Sequence, residues 1–396
     1  MLYIALQADL SSTLLIQTAF AGMASFPLLA IPLFLLAGNL MKEGGITEDL
    51  VSFARLLLGH IHGGLGVATI FASAVFAAVT GSAVATAVAI GTIMLPVMTE
   101  TGYEQDTAAA VTATAACMGP IIPPSIPFII YGVIANVSLA SLFLAGVLPG
   151  LLLGAALAVH MMVVSQKKGY PRRPKAGARE RAAGGLRALP ALCMPVLVVG
   201  GIFWGIFTPT EASGIAVAYA FVVGTCIYRK LRLARIPRIL LQSGLETAVV
   251  MLLLGLSEPF AWVVAVEQAA ARIVEWMGQV TTSPAVFLLV INLFLLIVGI
   301  PLETAPALTI VTPVLAPLAA KLQIDPVHFG VIVCFNLVLG LVTPPVGAVL
   351  FSLCGITGMS LETLSRRIWA PFCIALAVLL LVTFFPPLAT LLPGLF

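Results

Sequence analysis

The sequence predicts an all-α polytopic membrane protein built as an inverted repeat, and three observations predict it. Of 396 residues, 61% are hydrophobic and 9% charged, against about 25% charged in a soluble domain. Apolar runs long enough to cross a bilayer recur from end to end, and the mean hydropathy is +1.14. Two of these runs are broken alike, by "GPIIPPSIPFIIYG" at Gly119–Gly132 and by "GLVTPPVG" at Gly340–Gly347. A β-barrel does not fit, because the runs are continuous Leu, Val, Ala and Ile rather than alternating.

The elements follow in order. Residues 1–25 form an N-terminal segment, in which 10–24 is amphipathic rather than spanning. The start lacks the basic region of a cleavable signal peptide. The first repeat covers 26–165, with a re-entrant hairpin over 64–96 and a broken helix over 103–135, whose apolar part is 118–135. A span at 141–164 follows. The loop 166–189 holds eight Lys and Arg residues, from Lys167 to Arg187, against Glu180 alone. A scaffold helix pair fills 190–240. The second repeat, 241–367, has its hairpin at 285–317 and its broken helix at 328–357, and a transmembrane helix at 368–396 ends the chain.

Charge sets the orientation. The loop 166–189, the cluster Arg229 to Arg238, and Arg366 with Arg367 are the three basic segments. Placing all three in the cytoplasm obeys the bias of Lys and Arg toward that side. Counting spans from them, hairpin 64–96 starts and finishes inside and hairpin 285–317 outside, so the repeats are inverted. The net charge of +3 is a topology signal and calls for no nucleic acid.

Aligning Pro123-Pro124 with Pro344-Pro345 gives an offset of 221 residues. Gly119 then falls on Gly340, Pro96 on Pro317 and Ser82 on Glu303. Proline removes a backbone donor and clashes with the preceding turn, so each pair interrupts its helix. A plain kink would explain one break; two in register point to an ion and substrate site. Non-helical backbone at membrane depth survives only where protein or a watery cavity shelters it. Freed carbonyls suit a hard cation, and half-helix N-termini suit an anion.

Other features weigh less. The six cysteines, with no CxxC motif, read as small buried hydrophobes. His60, His62, His160 and His328 show no metal-ligand spacing. "GLLLG" (150–154) and "GIFWG" (201–205) permit close helix packing. Glu211 and Glu246 fall near helix ends, while Glu267, Arg272 and Glu275 suit an interfacial amphipathic helix. Glu303, an ionisable residue in an apolar region, is a functional candidate; a carboxylate would repel an anionic substrate, so capping of a half-helix is the favoured role. Asn336, two turns before the second Pro-Pro pair, reads as support for the unwound backbone ahead of a substrate contact.

The segments "FPLLAIPLFLLAGNLM", "GSAVATAVAIGTIMLPVM", "GPIIPPSIPFIIYG", "SLFLAGVLPG", "ETAPALTIVTPVLAPLA" and "IDPVHFGVIVCFNLVLGLVTPPVG" together resemble the large membrane subunit of tripartite ATP-independent periplasmic (TRAP) transporters. The resemblance runs in order from Phe26 to Arg367. It implies an elevator-type transporter in which a mobile domain carries both hairpins and both broken helices. It further implies Na⁺-coupled uptake of a small organic acid such as a C4-dicarboxylate, keto acid or sugar acid. Implied partners are a periplasmic binding (P) protein, a small membrane (Q) subunit and the lipid bilayer of the bacterial inner membrane; Na⁺ is the coupling ion and no cofactor is expected. Carried onto this chain, one sodium site falls on Thr80, Gly81 and Ser82 with Gly119, Ile122 and Pro124. Its mirror falls on Gly299 with Gly340, Thr343 and Val346. The substrate would lie between the hairpin tips, with Glu303, Thr304 and Asn336 supporting it. Family members usually carry a further hydrophobic segment before "FPLLAIPLFLLAG", which bears on how the small subunit docks.

Rival classes are weaker. A stand-alone ion-coupled carboxylate symporter or antiporter would share the hairpins and breaks without needing a binding protein. An enzyme needs a nucleophile with a base, and "TGSAVA" offers a serine alone. No Walker motif GxxxxGK[ST] is present for an ATP-driven pump.

Overall fold

The structure, a computed structural model, describes residues 12–267 and 283–395. Residues 1–11, and the predicted interfacial positions Arg272 and Glu275, lie outside the described residues. Secondary structure among the described residues is entirely helical. In chain order the helices are α1 (Ser12–Met23), α2 (Ala30–Glu43), α3 (Ile46–Leu58), α4 (Gly64–Thr80), α5 (Ala83–Glu100), α6 (Gln105–Ala116), α7 (Ile126–Ala135) and α8 (Leu139–Lys168). They continue as α9 (Ala178–Phe203), α10 (Pro209–Val222), α11 (Ile236–Val266), α12 (Pro284–Gly299), α13 (Thr304–Lys321), α14 (Pro326–Gly340), α15 (Ala348–Thr357) and α16 (Leu361–Phe384). Eight helical segments among the described residues are long and apolar enough to cross a membrane.

Helix starts expose the repeat. Gly64 and Pro284, Ala83 and Thr304, Gln105 and Pro326, and Ile126 and Ala348 begin corresponding helices, each pair 220 to 222 residues apart. The hairpins are α4–α5 and α12–α13; the broken helices are α6–α7 and α14–α15. Cys117–Ser125 and Leu341–Gly347 are the unwound segments, and both Pro-Pro peptide bonds are cis. Pro120, Pro123 and Pro124 supply no amide donors, so the first helix cannot continue. It restarts where Ser125 caps α7, its Oγ accepting from the Phe128 amide at 3.2 Å.

Around this pair of repeats, α2 packs against α10 and α11, α3 against α9, and α1 along α11. Helices α8 and α16 brace the repeats, α8 against α4 and α16 against α6 and α14. The stripe Gly146, Gly150 and Gly154 on α8 is where the first break comes closest. A Cβ on Gly146 would lie 2.3 Å from the Ile121 carbonyl oxygen, and one on Gly150 2.4 Å from the Ile122 side chain.

The basic segments share one end of the molecule. Lys168 and Arg367 both pair with Glu104, and Arg367 also lies 3.3 Å from Asp106. Tyr228 Oη donates to the Arg187 carbonyl at 2.6 Å, and the Arg173 amide to the Gly59 carbonyl at 3.1 Å.

Several boundaries differ from expectation. The segment 166–189 is mostly helical, since α8 runs to Lys168 and α9 starts at Ala178; "ARERAAGGLRAL" is rich in helix formers, and charge does not stop a helix. Helix α16 begins at Leu361, capped by Ser360, so Arg366 and Arg367 sit within its first turns rather than in a loop. "GIFWG" does not pack one helix on another: Gly205, with φ +67°, turns the chain between α9 and α10. Cys226 and Cys373 are exposed while Cys117 and Cys334 are buried. Where the outer surface faces hydrocarbon, a small apolar residue suits either side.

Candidate functional site

Both hairpin tips open into one cavity of about 450 Å³. Thr80, Gly81 and Ser82 of the first tip and Glu303 and Thr304 of the second line one wall. Pro120 and Leu341, from the two breaks, line it as well. The facing wall comes from α2 and α11, through Asn39, Lys42, Gln242 and Glu246.

The first tip rests directly on the first break. Gly81 adopts φ +60°, which only glycine takes readily, and a Cβ there would sit 2.9 Å from the Pro124 carbonyl oxygen. A Cβ on Gly119 would lie 2.9 Å from the Ser82 carbonyl oxygen. Hydroxyls extend the tip: Thr80 Oγ1 lies 3.1 Å from Thr86 Oγ1, which donates to the Ser82 carbonyl at 2.8 Å. Ser82 Oγ accepts from the Ala85 amide at 3.3 Å, capping α5. Ile122 follows in the same unwound segment; its side chain packs on α8 and its amide donates to the Met118 carbonyl at 2.8 Å.

The second tip repeats the contact with a different closure. A Cβ on Gly340 would lie 2.5 Å from the carbonyl carbon and oxygen of Gly299. Thr343 is buried and donates to the Leu339 carbonyl at 2.7 Å, leaving its oxygen lone pairs uncommitted. Val346 is 38% exposed. Its repeat equivalent is Ser125, which is buried and also donates to the Pro120 carbonyl. Valine cannot make either bond, so Gly347, at φ +59°, occupies the cap of α15 and the second break stays more open.

Glu303 stands at the N-cap of α13 but its side chain makes no capping bond; the favoured capping role is therefore not adopted. Its carboxylate is exposed at the cavity. Thr304 beside it is 5% exposed, and its hydroxyl has no hydrogen-bond partner. Asn336 is fully buried away from the unwound segment. Its Nδ2 donates to the Asn292 carbonyl at 2.9 Å and to Asn292 Oδ1 at 2.7 Å. Asn292 in turn donates to Thr383 Oγ1 at 3.2 Å. Asn336 thus ties α14 to α12 and α16, not to unwound backbone.

The facing wall was not singled out from the sequence. Asn39 Nδ2 donates to Ser243 Oγ and to Glu246 Oε2, both at 3.0 Å, and Gln242 Nε2 donates to Glu246 Oε1 at 3.1 Å. Glu246, read as a helix-end residue, lies inside α11 at the cavity. The available signal was an ionisable residue within an apolar span, beside Gln242 and Ser243 on the same helical turn. Among the described residues, the charged groups lining the cavity are Lys42, Glu246 and Glu303, a formal sum of −1.

Residues 1–388 match the family model for the tripartite ATP-independent periplasmic transporter, DctM component. The chain is 40% identical over 380 residues to the sialic acid TRAP transporter large permease protein SiaM of Vibrio cholerae, covering 96% of this chain and 89% of the relative. It is 40% identical over 369 residues to the C4-dicarboxylate TRAP transporter large permease protein DctM of Pseudomonas aeruginosa, covering 93% and 86%. In fold it resembles the Alcanivorax borkumensis YdaH transporter, with a TM-score of 0.71, 14% identity and coverage of 97% and 91%.

Proposed function

Since the chain belongs to the tripartite ATP-independent periplasmic transporter DctM family, we propose that it carries a small organic acid into the cell in symport with Na⁺. It is a multi-pass permease of the inner membrane and not an enzyme. Its substrate class follows the relatives, whose names cover a sialic acid and C4-dicarboxylates. A small membrane subunit and a periplasmic binding protein complete the tripartite system that the family description names.

The observation that carries the sodium reading is the charge of the cavity. Lys42 against Glu246 and Glu303 leaves a formal −1, so an organic anion enters only if cations accompany it. The tip-to-break contacts offer oxygens for them. Ser82 beside Gly119, and Gly81 beside Pro124, make one set; Gly299 beside Gly340, with Thr343 following, make the other. Unwound carbonyls and half-helix ends of this kind hold Na⁺ in secondary transporters. Two sodium ions moving inward through 100 mV supply about 5 kcal/mol. Sodium ordering of the tips would complete the substrate site, and the repeats would then move against α2, α10 and α11 as an elevator.

The test is uptake into proteoliposomes holding this chain with its small subunit, with sialic acid and a C4-dicarboxylate as probes. Uptake should require both a sodium gradient and the binding protein. Ser82→Ala and Thr343→Ala should each raise the Na⁺ concentration for half-maximal uptake. Equal uptake on potassium overturns the coupling, and unshifted sodium curves in both variants overturn the assigned sodium sites. Uptake without the binding protein favours a stand-alone symporter.

A further inference from the structure

A second cavity of about 380 Å³ lies beside the first, toward the basic end of the molecule. Its scaffold wall carries Glu43, Glu48, Lys230 and Arg235, and its other wall is the flank of α5 at Thr92 and Ile93. Lys42 and Val88 line both cavities. They therefore mark a neck between the two, with Lys42 on the last turn of α2 and Val88 on α5 just past the first hairpin tip.

The charge balance shifts across this neck, from two carboxylates on the hairpin side to a neutral set of pairs on the other, with Lys42 between them. Lys230 Nζ pairs with Glu48 Oε2 at 2.6 Å, and Arg235 Nη1 with Glu43 Oε2 at 3.1 Å. Both pairs are internally neutral. Among the described residues Lys42 has no ion pair, so it leaves the second cavity at a formal +1, while the first cavity, even with Lys42 counted, stands at −1. Once its accompanying cations depart, an anion in the first cavity is repelled by Glu246 and Glu303 and drawn toward Lys42. A cleft lined by one sign of charge concentrates the opposite ion locally.

We propose that Lys42 is an anion subsite at the neck of a cytoplasmic release route, receiving the carboxylate of the transported acid as it leaves the hairpin cavity. The proposal rests on the organic-acid uptake reading above. It adds a residue from the static wall, not from the hairpins or breaks, and a direction for the exit.

The test needs no knowledge of the substrate. Val88→Cys is introduced into the full-length chain in inside-out membrane vesicles. Modification at position 88 by membrane-impermeant thiol reagents, one an anionic sulfonate and one a cationic trimethylammonium, is followed by peptide mass spectrometry, with the native cysteines as internal controls. Position 88 should react from the cytoplasmic side, the anionic reagent ahead of the cationic by about tenfold relative to a small thiol in solution. Adding Lys42→Gln should abolish that preference, while Lys42→Arg should keep it. No reaction at position 88 from that side, or an unchanged preference with Lys42→Gln, overturns the proposal. Labelling involves neither sodium nor uptake, so failure of sodium-driven uptake would sink the transport reading and leave this result standing.

Discussion

Cys117 and Val338 stand 221 residues apart, the repeat offset, and meet: the Cys117 Sγ lies 3.8 Å from the Val338 carbonyl oxygen, both residues fully buried. A residue that touches its own repeat equivalent lies close to the axis relating the two halves. The two repeats therefore cross near that axis, where α6 has just ended at Ala116 and α14 is about to end at Gly340. Overpacking such a site costs about 1–3 kcal/mol. Cys117→Leu should lower the melting temperature of the detergent-purified protein, whereas Cys117→Ala should be tolerated far better. Identical melting curves for the two would mean that the crossing is loosely packed.

The contact between Gly299 and Gly340 makes a second prediction. A methyl group on Gly340 would meet backbone, which cannot rotate away. Gly340→Ala should therefore push the second tip off its break, destabilise by about 1–3 kcal/mol and weaken sodium activation of uptake. Gly244 in α11 is the control, because nothing lies within 4 Å of an added Cβ there. Alanine is the better helix former by about 1 kcal/mol, so Gly244→Ala should stabilise. Equal thermal shifts for both variants would count against the tip-to-break contact.

What the sequence could disclose divides along physical lines. Pro123-Pro124 and Pro344-Pro345 are legible because proline acts locally, removing a donor wherever it stands. The pairing of Ser82 with Glu303 is legible because an offset needs only spacing. The facing wall is not, since Asn39 meets Glu246 across 207 residues with no repeat relation. Nor is the placement of Glu303, because an N-cap position in sequence does not say whether the side chain turns back to the helix or out to a cavity. The unequal breaks were hidden in one substitution, Ser125 against Val346, whose importance depends on the Pro120 carbonyl lying within reach.

The ladder from Asn336 through Asn292 to Thr383 should be a stability element and not a transport element. Asn336→Ala removes the donor facing two oxygens of Asn292 and leaves them buried, at a cost of about 1–3 kcal/mol. Asn336→Ala and Asn292→Ala combined should cost less than the sum of the two alone, since the second removes the partner already orphaned. Thermal melts of the four proteins measure this coupling. A change in half-maximal sodium concentration with preserved stability would instead put Asn336 in the ion site.

Thr304 offers a test in which stability and function diverge. Its hydroxyl is buried at the cavity wall without a partner, which destabilises the unloaded protein, since an unpaired buried hydroxyl forfeits its hydration for nothing in return. Thr304→Val keeps the shape and deletes the hydroxyl, so the melting temperature should hold or rise. If substrate or sodium completes the missing bond, the same variant should raise the KM for uptake about tenfold, the worth of one hydrogen bond of roughly 1–1.5 kcal/mol. Thr304→Ser should restore it. An unchanged KM in Thr304→Val would remove this hydroxyl from the transport site, because a ligand that needed its proton or its oxygen would have lost it.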